Sequence, residues 1–406
     1  MTPVRQKDLR SNEWPLTLDV QALIADGWRP TPVTQFVLKI HSRCNLACDY
    51  CYVYELADQT WRDQPRLMDS ATADQAALRI AEHARAHDLS SVEIVLHGGE
   101  PLLAGANYLD SLASRLRRIV GPANLTLQTN GVLLDPTILK VLDRHDIRVG
   151  VSLDGTRADH DRTRRLRTGA GSHARVTSAL GRLTQPAYRR LFAGLLCTID
   201  LRSDPLATYT ELLRFSPPTI DFLLPHGNWT SRPPGRAGNG AQTHYADWLI
   251  PIFDRWYHGG GQSTEIRLFR DLLELLLGAK GSVETIGLSP VGSLVVETDG
   301  AWEQVDSLKS AYHGAAGTGL EIWRDSVDAA VLHPGVVARQ IGSAALAEQC
   351  LRCPIEDICG GGYYPHRYRA GEGFRHPSVY CPDLMALIGH VRSTLAADLD
   401  RLRRAE

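Results

Sequence analysis

The stretch His41-Ser42-Arg43-Cys44-Asn45-Leu46-Ala47-Cys48-Asp49-Tyr50-Cys51-Tyr52 directly follows a short apolar run, Phe36–Ile40. The run reads as a β-strand and the stretch as the loop at its end. Three thiolates spaced Cys44-x3-Cys48-x2-Cys51 can hold three corners of a cubane [4Fe–4S] cluster and leave the fourth iron open. Structural zinc is the alternative, and it needs a fourth protein ligand, a role His41 could fill.

Working outward, further apolar runs lie at Val92–Leu96, Leu125–Gln128, Ile147–Ser152, Leu191–Ile199 and Ile220–Leu224. Amphipathic stretches at 70–88, 106–120, 135–145, 173–185 and 205–214 separate them. Near-continuous apolar strands alternating with helices are the pattern of a parallel sheet covered by helices. Six such units, with no seventh or eighth, predict an α/β fold built on a partial (β/α)6 barrel. The pattern stops near Leu224. A Pro/Gly-rich loop follows at 225–240, then helical stretches at 242–258 and 266–278. Ser293–Thr298, Asp299-Gly300 and Trp302–Val305 read as a β-hairpin on a tight turn. A closing helix is expected over about 383–404. We therefore expect an extension at 1–35, the barrel at 36–240, bridging helices and hairpin at 241–345, and a metal-binding segment with a helix at 346–406. The extension is too short for a separate winged-helix module.

Composition narrows the function classes. The chain has 406 residues, is 43% hydrophobic, and carries a formal net charge of −2. Nothing in that balance suits a nucleic-acid backbone or an anionic membrane. No apolar run is long enough to span a bilayer and the N-terminus has no apolar signal core, so a cytoplasmic protein is expected. Of the eight cysteines, seven fall into two tight groups far apart in sequence. In a long chain without an export signal, such groups suggest metal, not disulfides. Cys197 stands alone in Leu195–Ile199 and reads as a small core residue.

Three further segments follow the successive strands. They are Gly98-Gly99-Glu100-Pro101, Thr129-Asn130-Gly131 and Ser152-Leu153-Asp154-Gly155. Backbone without side chains lets a ligand approach, and a carboxylate suits an ammonium. Barrel active sites sit at this end of the strands. In this order after Cys-x3-Cys-x2-Cys, these motifs resemble the radical S-adenosylmethionine (SAM) superfamily over roughly residues 36–225. The resemblance implies that Gly98, Gly99, Glu100 and Pro101 receive the methionine amino group. It implies that Thr129, Asn130, Ser152 and Asp154 face the ribose and carboxylate. Arg164 matches a carboxylate-binding arginine, with Arg162 and Arg165 as close rivals. SAM chelating the open iron would be cleaved by one electron to methionine and a 5′-deoxyadenosyl radical. Tyr50 and Tyr52 either cover the cluster and adenine or pack locally.

Cys350-x2-Cys353-x5-Cys359 with the later Cys381 supplies four thiolates, enough for zinc or a complete [4Fe–4S] cluster. After a radical SAM barrel this group resembles the SPASM extension of peptide-modifying enzymes. A full extension has seven cysteines and two auxiliary clusters. Here Val305 and Tyr363 stand where two of those cysteines would be, so the resemblance implies a SPASM-like domain with a single auxiliary cluster.

The whole chain resembles the FxsB-like cyclophane-forming radical SAM/SPASM peptide maturases. The likeness runs through the first cysteine loop, Leu224-Pro225-His226-Gly227-Asn228-Trp229, Glu297-Thr298-Asp299-Gly300, Val305-Asp306-Ser307-Leu308-Lys309 and Cys359-Gly360-Gly361-Gly362-Tyr363-Tyr364. It implies a ribosomally synthesised precursor peptide as substrate and a flavodoxin- or ferredoxin-type electron donor. The implied reaction joins an aromatic ring carbon to the β-carbon of a residue two positions later. Asp306 is then the expected proton acceptor, its alternative role being to anchor the hairpin. His226, Asn228 and Trp229 either line a peptide channel or pack their loop. Thioether formation or side-chain dehydrogenation by the same radical is a rival reaction. A zinc-bound, non-enzymatic scaffold is a rival of another class.

Overall fold

The computed structural model describes residues 13–236, 241–259, 263–281 and 283–405. Its centre is a run of six parallel strands: β1 Gln35–His41, β2 Val92–Gly98, β3 Ala123–Thr129, β4 Arg148–Ser152, β5 Phe192–Thr198 and β6 Thr219–Leu223. They neighbour one another in sequence order, with Phe36 opposite Ile94 and Leu38 opposite Leu96. Each expected strand is present, but its two faces differ more than the apolar runs suggest. On β2, Val92, Ile94 and Leu96 are fully buried under the helices, while Glu93 and His97 line the barrel interior. Gln35 and Val37 do the same on β1. Successive strand residues point to opposite faces, so the inner face is a separate, largely polar register.

Helices cover the outer face: α1 Ser70–Ala86, α2 Ala106–Val120, α3 Pro136–Arg144, α4 His173–Leu183 and α5 Pro205–Leu213. Their buried residues recur at helical spacing, as in Ala73, Ala76, Ala77 and Ile80 of α1. Aspartates cap them. Asp69 accepts from Thr72 N at 2.7 Å, while Asp135 and Asp204 precede a proline at the first helical position of α3 and α5. That residue order sets helix starts sharply after each loop. Cys197 is buried within β5.

The sheet does not end with the barrel strands. On one edge Glu265–Ile266 pairs with the start of β6. On the other, β7 Ser293–Val296 runs parallel to β1, from Gln35 opposite Ser293 to Leu38 opposite Val296. The expected hairpin then continues outward through β8 Ala301–Glu303 and β9 Gly317–Glu321. The hairpin is therefore an extension of the barrel sheet. Helices α6 His244–His258 and α7 Arg267–Leu276 pack under the closing helix α8, Cys381–Ala405. Among the described residues no helix is long and apolar enough to cross a membrane.

Candidate functional site

The loop after β1 runs tightly against the end of β2, and two glycines permit it. Gly98 has φ +152°, and a Cβ there would lie 2.3 Å from the His41 carbonyl oxygen. At Gly99 a Cβ would lie 1.8 Å from the Tyr54 hydroxyl and 2.6 Å from the Arg43 carbonyl. In exchange, Gly99 N donates to His41 O and Glu100 N to Arg43 O. The glycines thus serve the approach of one loop to another.

Glu100 ties in the third strand. Its buried carboxylate accepts from the Thr129 hydroxyl at 2.6 Å, Asn130 N at 2.8 Å and Leu102 N at 3.0 Å. Asn130 reaches on to the cysteine loop, with Nδ2 at 2.8 Å from Asn45 Oδ1 and 3.7 Å from Cys44 Sγ. Ser152 accepts from Gln128 Nε2. Within the cysteine loop, Leu46–Cys48 pairs with Arg164–Leu166, which puts Arg164 opposite Cys48. Arg164 is buried, donates to the Tyr50 hydroxyl at 2.6 Å, and keeps Nε without a partner. Tyr50 in turn donates to Asp154, whose other oxygen accepts from Thr198 N. Of the rival arginines, Arg162 is held by Asp159 and Asp200, and Arg165 bonds the Asp161 carbonyl near the surface.

None of the eight cysteines forms a disulfide. Burial pushes the Cys44 thiol up to about 12, with the Glu100 charge adding to it. Burial likewise pushes Cys48 up to about 11, against the pull of Arg164. Thiols so placed ionise against a bound metal, which deprotonates its sulfur ligands outright. His41 turns Nδ1 onto the Arg43 backbone, so the loop offers three sulfurs and one engaged imidazole nitrogen. The second group also converges. Burial and then the neighbouring Cys381 charge push Cys359 up to about 12, and Cys381 senses Cys350 and Cys353 in the same way. Cys381 opens α8, and three successive left-handed glycines, Gly360, Gly361 and Gly362, turn the chain after Cys359. Four converging sulfurs fit a fully protein-held metal centre.

Between the two groups lies a cavity of ≈730 Å³, lined among others by Tyr52, His97, His226, Asp306, Tyr363 and His366. Beside it is a buried ion cluster that the sequence motifs did not reveal. Lys39 of β1 meets Asp306 at 3.0 Å and Glu297 at 4.0 Å. Lys309 meets Glu297 at 2.8 Å and Glu303 at 2.9 Å. Burial alone would raise the Asp306 carboxyl, but Lys39, Lys309 and His97 hold it at about 2. Its Oδ1 has no partner. Burial pushes Glu303 the other way, to about 8, helped by the charges of Glu297 and Asp306 and opposed by Lys309. His97, at 3.7 Å from Asp306, is pushed down to about 4 by burial and by Lys39, and its Nδ1 is unpartnered.

Of the residues expected to line a channel, only His226 does so. Asn228 is fully buried, donates to Ser310 O and accepts from Thr230 N and Ser231 N. Trp229 donates to Pro377 O. These two fasten the loop. Lys39 and His97 were the missed residues, and their signal was a polar side chain inside an otherwise apolar strand.

Residues 38–190 match the family model of the Radical SAM superfamily. The chain is 27% identical over 280 residues to a cysteine-type anaerobic sulfatase-maturating enzyme of Clostridium perfringens, covering 66% of this chain and 73% of that one. It is 26% identical over 364 residues to a serine-type anaerobic sulfatase-maturating enzyme of Klebsiella aerogenes, covering 86% and 84%. Among solved structures, native anSMEcpe with bound AdoMet and Kp18Cys peptide superposes with a TM-score of 0.78 at 21% identity, over 90% of this chain and 99% of that one. Streptococcus suis SuiB bound to precursor peptide SuiA gives 0.55 at 14%, over 89% and 78%. The fold is that of radical SAM enzymes, and the chain is similar in sequence to anaerobic sulfatase-maturating enzymes.

Two outcomes are expected. Anaerobic reconstitution should bind about eight irons per chain if both sulfur sets hold four-iron clusters, and changing Cys44, Cys48 and Cys51 together to Ala should leave about half; an iron count corresponding to three cubanes rules out the two-cluster reading. Glu303, with a carboxyl raised from 4.5 to about 8, binds its proton in the folded state where the unfolded chain has lost it. Its contribution is therefore present at low pH and lost as pH rises from about 4.5 to about 8. Thermal melts of Glu303→Gln should show a flatter decline over that window than wild type.

Proposed function

We propose that this chain is a radical SAM maturase of a ribosomally synthesised precursor peptide and that it closes a three-residue cyclophane. The bond made joins an aromatic ring carbon to the β-carbon of a residue two positions later. The observation that carries the reading is the cavity between the two sulfur sets, lined in part by Asp306, whose Oδ1 has no partner. The sulfatase-maturating relatives and the two peptide-bound neighbours support a peptide as occupant.

Cys44, Cys48 and Cys51 would hold a [4Fe–4S] cluster with an open iron for SAM, and Cys350, Cys353, Cys359 and Cys381 a complete auxiliary cluster. When bound, the first cluster and SAM supply a 5′-deoxyadenosyl radical able to take a hydrogen from an unactivated carbon, drawing electrons from a flavodoxin- or ferredoxin-type donor. The chain's own residues then do the rest. Arg164 offers its free Nε to the SAM carboxylate, held in place by Tyr50 and Asp154. Glu100, Thr129 and Asn130 keep the glycine turn and cysteine loop in register, so their part in cofactor binding is carried by backbone. The cavity wall positions the peptide so that ring and β-carbon meet. Closing the bond removes two hydrogens overall, one to the deoxyadenosyl radical and one as a proton and an electron. Asp306 accepts that proton. Although it is a weak base at rest, a ring carbon regaining aromaticity is a strong acid.

The likeness to sulfatase-maturating enzymes favours a second reading, oxidation of a peptide side chain without a cross-link. Co-expression with short open reading frames flanking the gene, followed by tandem mass spectrometry, separates the two. A cyclophane loses two hydrogens and yields no backbone fragments between the bridged residues; dehydrogenation loses the same mass and fragments throughout. Asp306→Asn should cut cross-linked product by about 10²–10⁴-fold, the usual contribution of a placed acid–base group, with deoxyadenosine falling far less. A folded variant that cross-links at the wild-type rate removes Asp306 from the proton step.

A further inference from the structure

Tyr52 directly follows Cys51, and Tyr380 directly precedes Cys381. Each sulfur set therefore carries an aromatic ring on the backbone of one of its own cysteines. The space between is bridged by two imidazoles. Ring centroids are 4.5 Å apart from Tyr52 to His226, 5.7 Å from His226 to His366, and 4.9 Å from His366 to Tyr380. All three contacts are edge-to-face. Tyr363 lies alongside, 6.0 Å from His226 and 5.2 Å from His366. Tyr52, His226, Tyr363 and His366 also line the cavity, so an occupant would touch the row of rings.

Packing alone is a poor account of the two imidazoles. His226 Nδ1 and His366 Nε2 are buried without a hydrogen-bond partner. Burial pushes His226 down to about 4 and His366 well below the usual range, so both are neutral. A buried unsatisfied polar group costs stability that a phenyl ring of similar shape would not. Those open nitrogens suit an occupant of the cavity, while the contacts between the rings are what links one sulfur set to the other.

We infer that Tyr52, His226, His366 and Tyr380 form an electron-transfer bridge joining the cavity and the first sulfur set to the second. The inference rests on the reading of both sulfur sets as iron–sulfur sites. Each passage moves one electron and no atoms. In turnover, the ring radical left on the peptide after the carbon–carbon bond forms gives one proton to Asp306 and one electron to the bridge. The oxidised four-cysteine cluster is the electron acceptor. The same row of rings then serves the return of that electron to the three-cysteine cluster. The rings act as densely packed matter through which an electron tunnels, not as sites that are themselves oxidised. What matters is therefore that a ring fills each position.

The test uses the reconstituted holoenzyme with SAM and without peptide. A light flash on deazaflavin delivers electrons to the clusters, and freezing at successive times follows their redistribution by electron paramagnetic resonance, SAM marking the three-cysteine signal. In the double variant His226→Ala/His366→Ala, at wild-type iron content, redistribution should slow by an order of magnitude or more. The double variant His226→Phe/His366→Phe should redistribute as wild type does. Equal rates in the Ala variant and wild type, or slow transfer in the Phe variant, overturn the bridge. So does a wild-type protein with no second reducible cluster. Because no peptide is present, failure of the cyclophane reading leaves this result unaffected.

Discussion

Lys39 sets a condition that the rest of the molecule must meet. It lies on β1, near the middle of the sheet, with its side chain almost wholly closed to water. An ammonium there costs several kcal/mol unless counter-charges meet it. Those charges, Asp306 and Glu297, come from the segment that follows β7. The parallel pairing of β7 with β1 is therefore fixed by charge as well as by ladder hydrogen bonds. Lys309 repeats the arrangement with Glu297 and Glu303. Two cations face three carboxyls, and a proton on Glu303 brings the set to balance near neutral pH. Removing one member of such a cluster leaves an uncompensated charge, which is why breaking one typically costs about 3–5 kcal/mol. Asp306 belongs to this anchor through Oδ2, lines the cavity, and keeps Oδ1 without a partner. In the proposed reaction one oxygen of the carboxylate would anchor the turn and the other would take the proton.

A second knot forms at the mouths of the strands. Glu100 gathers the loops after β2 and β3, and Asn130 extends that hold to Cys44. Arg164, Tyr50 and Asp154 gather the short ribbon opposite Cys48 with the loop after β4. Motif side chains that looked like a row of separate ligand contacts are largely partners of one another. Such mutual support holds a site in its working geometry before anything binds.

This explains what the sequence showed and what it hid. The six strands and the cysteine loop were legible because their signals are local: apolar runs, helix spacing and ligand spacing. The inward register was not, since Lys39 and His97 look like interruptions in apolar strands until the sheet curls around them. Nor was the choice among Arg162, Arg164 and Arg165. Strand pairing with Leu46–Cys48 separates Arg164 from Arg165, because alternate residues of a ribbon face opposite sides and Arg164 is the buried one. The hairpin was legible as a hairpin, but its parallel pairing with β1 depends on residues far away in sequence. Asn228 and Trp229 sat beside His226 in one motif, yet hydrogen bonds to the carbonyls of Ser310 and Pro377, far along the chain, claim them while His226 lines the cavity.

The cavity itself is polar at both ends but not in the same way. Toward the starts of the strands its polar side chains are paired: Glu93 accepts from Gln35 and Thr126, and Arg267 meets Asp221 at 3.0 Å. Toward the cysteine end, His97, His226, Asp306 and His366 each keep a buried atom without a partner. Buried polar atoms are nearly always satisfied in folded proteins, so four exceptions on one wall mark a place completed by something else. The unpaired end lies between the two sulfur sets and beside Asp306, whose carboxyl Lys39 and Lys309 hold down. On the proposed function, a peptide seated there would meet the open atoms with its own polar groups and bring its reacting carbons beside Asp306 and the row of rings.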